Sequence, residues 1–234
     1  MHSLGQTLVR SIESRGSEIT VRDSAGGALS GSATVERAFR VAHALRTSGL
    51  GPDDRVAIMG DDRVETIECY LGCFIAGVTA VHVNARLQSD EVEYILEDSD
   101  AKALIAGGGV DDVVGRLSGL DDLHLVRSIG GTTLPDYHSW VDAAPATRTF
   151  EERLGDAEAI IGYTSGTTGR PKGAIATERA VGGCLRLSSL VFRIPLRSSL
   201  AFSGSLSFIG ATWGQVFPHL FVGGSVDLLG RYDL

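Results

Sequence analysis

Apolar positions along the chain follow two spacings. Leu4, Leu8, Val9 and Ile12 recur every three to four residues, as on one face of a short amphipathic helix. The run EITVRD at residues 18–23, then Gly26-Gly27, then residues 28–31 reads as a hairpin. Thr34 is the expected cap of a helix running to about Thr47, with Gly49 and Gly51 beyond its end. RVAIM at residues 55–59 is a buried-strand pattern. Residues 64–76 read as a helix stopped by Gly77, and residues 79–83 as the next strand. Ser89 is the expected N-cap of a further helix, with Asp90 and Glu91 in its first turn, where carboxylates suit the helix dipole. Strands are expected at residues 102–106 and 124–127, with a helix over 110–117 between them. Residues 130–155 read as a connection. A strand at 159–163 follows, then a helix near 178–192, a strand near Leu200, a helix near 208–221 and a strand at 225–229.

This alternation predicts an α/β fold: layered βαβ units, mostly parallel sheet or sheets, and helices covering them. Residues 1–150 are expected to form a first α/β subdomain with its connection. Residues 151–234 are expected to hold a glycine-rich segment and the start of a second subdomain. There is no internal repeat.

Composition narrows the function classes. Hydrophobic residues are 43% and charged residues 21% of the chain, a balance that supports a packed core and argues against disorder. The formal net charge of −8, with no basic run, argues against nucleic acid and anionic membrane as partners. An anionic ligand must then be held by local donors. Cys69, Cys73 and Cys184 are sparse and odd in number, which fits a reducing compartment. No apolar run reaches membrane-span length and the first residues lack a signal-peptide core, so a cytoplasmic protein is expected.

The segment that carries chemistry is YTSGTTGRPKG, Tyr163 to Gly173. It follows an apolar strand and concentrates hydroxyls, glycines and two cations. Glycine lets backbone N–H groups approach a ligand and point inward, and hydroxyls and Lys172 add donors and charge. Such a loop suits a polyphosphate. It is not the P-loop pattern, because Lys172 follows Pro171 and is followed by Gly173 rather than by Ser or Thr. As bare composition, the segment reads first as a surface loop without a ligand, since such loops are common.

As an ordered string, YTSGTTGRPKG resembles the phosphate-binding signature of the adenylate-forming superfamily: acyl-CoA synthetases, adenylation domains of peptide synthetases, and luciferase. The stretch from Leu71 to Ala106 and the closing FPHLFVGGSVDLLGRYD are similar to acyl-CoA ligases as well. The resemblance implies ATP-dependent activation of a carboxylic acid as an acyl-adenylate, followed by thioester formation with CoA. It implies ATP, Mg²⁺ and CoA as cofactors. Thr164, Ser165, Thr167 and Thr168 would bond the β and γ phosphates, Gly166 and Gly169 would allow the turn, and Lys172 would supply charge. Ser207, Phe208 and Trp213 are candidate walls of the acyl pocket, with packing in the core the competing reading for Trp213.

The resemblance also implies residues that this chain lacks. Motifs for adenine, ribose and Mg²⁺, the hinge and the C-terminal domain with its catalytic lysine are expected beyond Leu234, so the 234 residues are expected to be an incomplete N-terminal portion, inactive alone. Three positions depart from the pattern. His82 stands where a proline is usual, Glu178 follows Thr177 where histidine is usual, and Ser207 or Phe208 replaces a gating histidine. The alternatives are an amino-acid adenylation domain and an inactive paralogue used as a binding module. Asn84-Ala85-Arg86-Leu87 favours the ligase over the first of these. Cys69 and Cys73 read as buried small side chains rather than metal ligands, and Asp61, Asp62 and Glu65 as a solvated helix start.

Overall fold

The computed structural model describes residues 3–131, 133–153, 155–164 and 170–230. Helix α1 (Leu4–Glu13) opens on a capping box, in which Ser3 Oγ accepts from Gln6 N and Gln6 Oε1 accepts from Ser3 N. Its apolar stripe is the face that packs: Leu8 and Ile12 are fully buried. Strands β1 (Ile19–Asp23) and β2 (Ala28–Ser30) form the expected hairpin. Helix α2 (Gly31–Thr47) starts earlier than the sequence suggests. Ser30 is its cap, accepting from Ala33 N, while Thr34 lies inside the helix with its hydroxyl on Ser30 O.

Strand β3 (Arg55–Met59), helix α3 (Val64–Ala76) and strand β4 (Thr79–His82) follow, with Gly77 in the left-handed region at φ 78° as the stop of α3. In helix α4 (Ser89–Asp98) Ser89 is the first residue and not the cap. Gln88 caps instead, its N–H donating to the Glu91 carboxylate. After strand β5 (Ala103–Gly107) the expected helix over 110–117 shrinks to α5 (Asp111–Val114), bracketed by Gly109 and Gly115, residues that disfavour helix. Strand β6 (Leu125–Ile129) leads to the short helix α6 (Tyr137–Asp142) within the connection. Strands β7 (Glu158–Thr164) and β8 (Lys172–Thr177) then flank the glycine-rich segment. Helix α7 (Glu178–Val191) is capped by Thr177 Oγ1, and strand β9 (Ser199–Phe202) follows it. A helical run consists of α8 (Ile209–Ala211), a π-helical turn (Thr212–Val216) and α9 (Phe217–Phe221), and strand β10 (Ser225–Leu228) comes last.

Among the described residues the strands form two sheets. The larger has the order β6-β5-β3-β4-β7-β8, parallel throughout except for the last pair. The smaller has the order β2-β1-β10-β9, with β1, β10 and β9 parallel. Strands from either side of residue 150 share each sheet. Helices cover both faces of the larger sheet, as its strand pattern requires. Val56, Ile58, Ile105 and Ile160 enter one core with α1, α2 and α3; Ala57, Met59, Val81, Leu104 and Ile161 enter the other with α4 and α5.

Helix α3 is buried along its whole length. Cys69 and Cys73 are core side chains, and burial pushes the Cys73 thiol up to about 12. Glu68 is buried too; its carboxylate accepts from Arg37 Nε at 2.5 Å and from the Tyr137 hydroxyl at 3.0 Å. Burial raises its pKa against the pull of Arg37. Through Tyr137 this bond anchors the weakly patterned connection to the core.

Helices α2 and α3 cross closely at Gly72, where an added Cβ would lie 2.3 Å from Val41 Cγ1. Gly72→Ala must therefore force the helices apart and is expected to cost about 1–3 kcal/mol. Gly51, which has open space around it, is the control: Gly51→Ala should stay within about 0.5 kcal/mol. Urea denaturation of the two variants measures both, and equal midpoints would contradict this account of the crossing.

Candidate active site

Because β3, β4, β5 and β7 are parallel, their carboxyl ends share one edge, where open α/β sheets bind ligands. The chemistry-bearing loop leaves from this edge. Strand β7 ends on Thr164 and β8 starts on Lys172, and the two residues are partners in the antiparallel ladder. Both are exposed. Ser165, Gly166, Thr167, Thr168 and Gly169 lie outside the described residues. Lys172 makes no ion pair among the described residues. The chain's other lysine, Lys102, sits at the opposite, amino edge before β5 and pairs with Asp100 at 2.7 Å.

Helix α4 holds both stems of the loop. The Tyr163 hydroxyl donates to Asp98 Oδ2 at 2.7 Å. The Tyr94 hydroxyl reaches Pro171 O at 3.1 Å and Asp98 Oδ1 at 3.3 Å. The Arg170 guanidinium stacks 5.2 Å from the centre of the Tyr94 ring. Gly173 leaves room for the Tyr163 ring, which a Cβ there would meet at 3.1 Å. Tyr94 and Asp98 are one helical turn apart, a spacing that puts them on one face. That spacing is visible in the sequence, but their partners are more than 60 residues away.

A cleft of about 590 Å³ opens on the same edge, lined by Asp61, Asp62, Arg86, Gly107, Ser207 and Phe208 among others. Trp213 does not join Ser207 and Phe208 there. It lines a separate apolar pocket of about 260 Å³ with Ile160, Ala176, Val181, Cys184 and Ile209. The segment from Ser207 to Trp213 thus lies between a cleft with charged side chains in its wall and an apolar pocket. Trp213 also packs on Phe217, with ring centres 4.2 Å apart, so it is a core residue with one edge on the pocket.

Asp61, Asp62 and Glu65 are not a solvated helix start. Asp62 Oδ1 accepts from Leu206 N at 2.5 Å, and Glu65 is buried beside His138 Nε2 at 3.3 Å. Burial raises the pKa of both aspartates. Asp62 therefore helps pin the turn that carries Ser207.

His82 is the functional candidate that sequence reasoning singled out only as a departure. It is buried, with its ring stacked against Tyr70. Its Nε2 lies 2.9 Å from Ser207 O, and its Nδ1 lies 2.5 Å from the Tyr70 hydroxyl. A carbonyl only accepts, so Nε2 carries the proton and Nδ1 accepts from Tyr70. An imidazole thus does reach the turn that lacks the expected histidine, from β4 rather than from the turn itself.

The sequence profile described as AMP-binding enzyme matches residues 9–234. The chain belongs to this family. A 3-oxocholest-4-en-26-oate–CoA ligase of Rhodococcus rhodochrous is 33% identical over 151 residues, 60% of this chain and 27% of that protein. Surfactin synthase subunit 2 of Bacillus subtilis is 29% identical over 82% of this chain and 5% of its own length. A benzoate CoA ligase from Burkholderia xenovorans superposes with a TM-score of 0.87 at 25% identity, over 98% of this chain and 45% of that one. The N-terminal domain of FACL13 from Mycobacterium tuberculosis gives a TM-score of 0.89 at 24% identity, over 100% of this chain and 58% of its own. The chain therefore spans less than half of the Burkholderia ligase and about a quarter of the Rhodococcus one. The α/β fold with its parallel sheet is that of the adenylate-forming N-terminal domain.

Burial lowers the pKa of His82 below its ordinary 6.5. The folded state then resists a proton that the unfolded chain accepts. Stability contributed by neutral His82 is present above that ordinary value and is lost as pH falls below it. Between about pH 7.5 and about pH 5.5, wild type should lose more unfolding free energy than His82→Gln, by urea titration at each pH. Equal losses would contradict a neutral buried imidazole.

Proposed function

We propose that the protein activates a carboxylic acid with ATP as an acyl-adenylate and passes the acyl group to the thiol of CoA. The observation that carries this reading is the position of Thr164 and Lys172, the two ends of the glycine-rich segment, at the carboxyl edge of the parallel sheet, with both stems held by α4. ATP supplies the electrophilic phosphorus and the pyrophosphate leaving group. The residues present suit it: Thr164 and Lys172 stand exposed at the two ends of the loop, and the intervening Ser165, Gly166, Thr167, Thr168 and Gly169 are of donor or turn-forming type. In this reading the hydroxyls and Lys172 hold the β and γ phosphates and neutralise charge as it builds on the leaving group. Mg²⁺ would be held mainly by the phosphates themselves, with one or two carboxylates completing its shell. In this reading the pocket beside Trp213 would take an apolar acid tail.

CoA is preferred to an amino-acid pathway because Asn84-Ala85-Arg86-Leu87 resembles the ligase form of this segment. A reducing, cytoplasmic setting fits the free thiols. The reaction needs further groups outside these residues. Lys102 lies at the wrong edge of the sheet, and Lys172 belongs to the loop, which leaves no lysine for a separate catalytic role.

The test is acid-dependent exchange of pyrophosphate into ATP, run with fatty, aryl and amino acids. The 234-residue chain alone should give none. A protein in which it is followed by the rest of an AMP-binding domain should give exchange, and should lose about a hundredfold with Lys172→Ala. Robust exchange by the chain alone would overturn the argument about missing groups. Absence of exchange from the longer protein with every acid would move the weight to a non-enzymatic paralogue.

A further inference from the structure

The turn between β9 and α8 is fastened to the larger sheet through polar bonds at two of its strand ends, those of β3 and β4. Leu206 N donates to Asp62, and Ser207 Oγ donates to Gly60 O at 3.1 Å, both residues following β3. Ala85 N, after β4, donates to Ser207 Oγ at 3.3 Å. The remaining bond comes from the end of β4 itself, His82 Nε2 to Ser207 O at 2.9 Å. It differs from the others in being oriented from behind. The Tyr70 hydroxyl, on the fully buried helix α3, occupies Nδ1 and so fixes the proton on Nε2. The Tyr70 ring in turn packs edge-on against Trp213, with centres 5.3 Å apart. Tyr70 and His82 therefore touch both ends of the segment that lies between the cleft and the apolar pocket.

We propose that His82 is a positioning residue for acid selection: through Ser207 O it fixes the 207–213 partition, and so the distance between the pocket that takes the acid's tail and the cleft where its carboxylate reacts. This inference rests on the acid-activation reading. His82 lines neither the cleft nor the pocket. On the other side of its strand it pairs in register with Gly162 of β7, two positions before Thr164. The partition and the phosphate-loop stem are thereby referred to the same residue.

Side-chain geometry supplies the discriminating variants. Glutamine places a donor near the position of Nε2 and keeps the bond to Ser207 O. Asparagine reaches only the Nδ1 position and loses it. In the longer, exchange-competent protein, His82→Asn should raise KM for the preferred acid about tenfold, while His82→Gln stays within about twofold. KM for ATP should hold within about twofold in both. Amide hydrogen exchange at residues 206–210 should accelerate in His82→Asn and not in His82→Gln. Equal acid KM values for the two variants, a parallel rise in KM for ATP, or unchanged hydrogen exchange in His82→Asn would overturn the proposal. If wild type activates no acid at all, the functional reading fails separately, and the hydrogen-exchange comparison alone decides whether His82 holds the partition.

Discussion

The pairing of β4 with β7 is the constraint on which the rest depends. It joins Ala80, Val81 and His82 to Ile160, Ile161 and Gly162, segments separated by the whole of α4, β5, β6 and the connection. This one ladder sets the end of β7 beside the ends of β3 and β4, and so brings Thr164 and Lys172, the two ends of the glycine-rich loop, to the edge where the cleft opens. Long-range parallel pairing costs chain entropy that local contacts do not. The continuous buried runs of both strands offset it, because Ile160 and Ile161 enter opposite cores and anchor β7 from both faces.

Elements whose signal is local were legible in the sequence. The apolar stripe of α1, the RVAIM strand and the Gly77 stop each depend on a few neighbouring residues, and each formed as read. The caps of α2 and α4 were harder: Ser30 and Thr34 are both hydroxyl candidates, and Gln88, not a favoured cap type, stands directly before the favoured Ser89. Burial of polar side chains was illegible for a different reason. Asp62 and Glu65 look like solvated carboxylates until Leu206 and His138 arrive from distant sequence. His82 likewise looks like a stray substitution until Ser207 and Tyr70 are placed around it. The loop was legible as an ordered string, but its clamp by Tyr94 and Asp98 was not.

The site is thus a local motif set in a non-local frame. Membership of the AMP-binding enzyme family covers almost the whole chain, and the fold agrees with solved CoA ligases. What distinguishes this chain is how it replaces expected residues. A histidine absent from the turn is answered by one from β4, and a buried hydroxyl fixes its tautomer. Buried polar groups are costly when unpaired, so the two departures hold each other in place.

The central claim is that the segment flanking Lys172 binds the phosphates of ATP. With Lys102 and Lys172 as the chain's only lysines, the claim has a built-in control. Pyridoxal 5′-phosphate forms an imine with accessible lysines, and reduction followed by peptide mass spectrometry reads each position. The account predicts labelling at both lysines without ATP, and protection by ATP at Lys172 alone. Labelling at Lys172 that ATP leaves unchanged, or equal protection at Lys102 on the opposite edge, would contradict it.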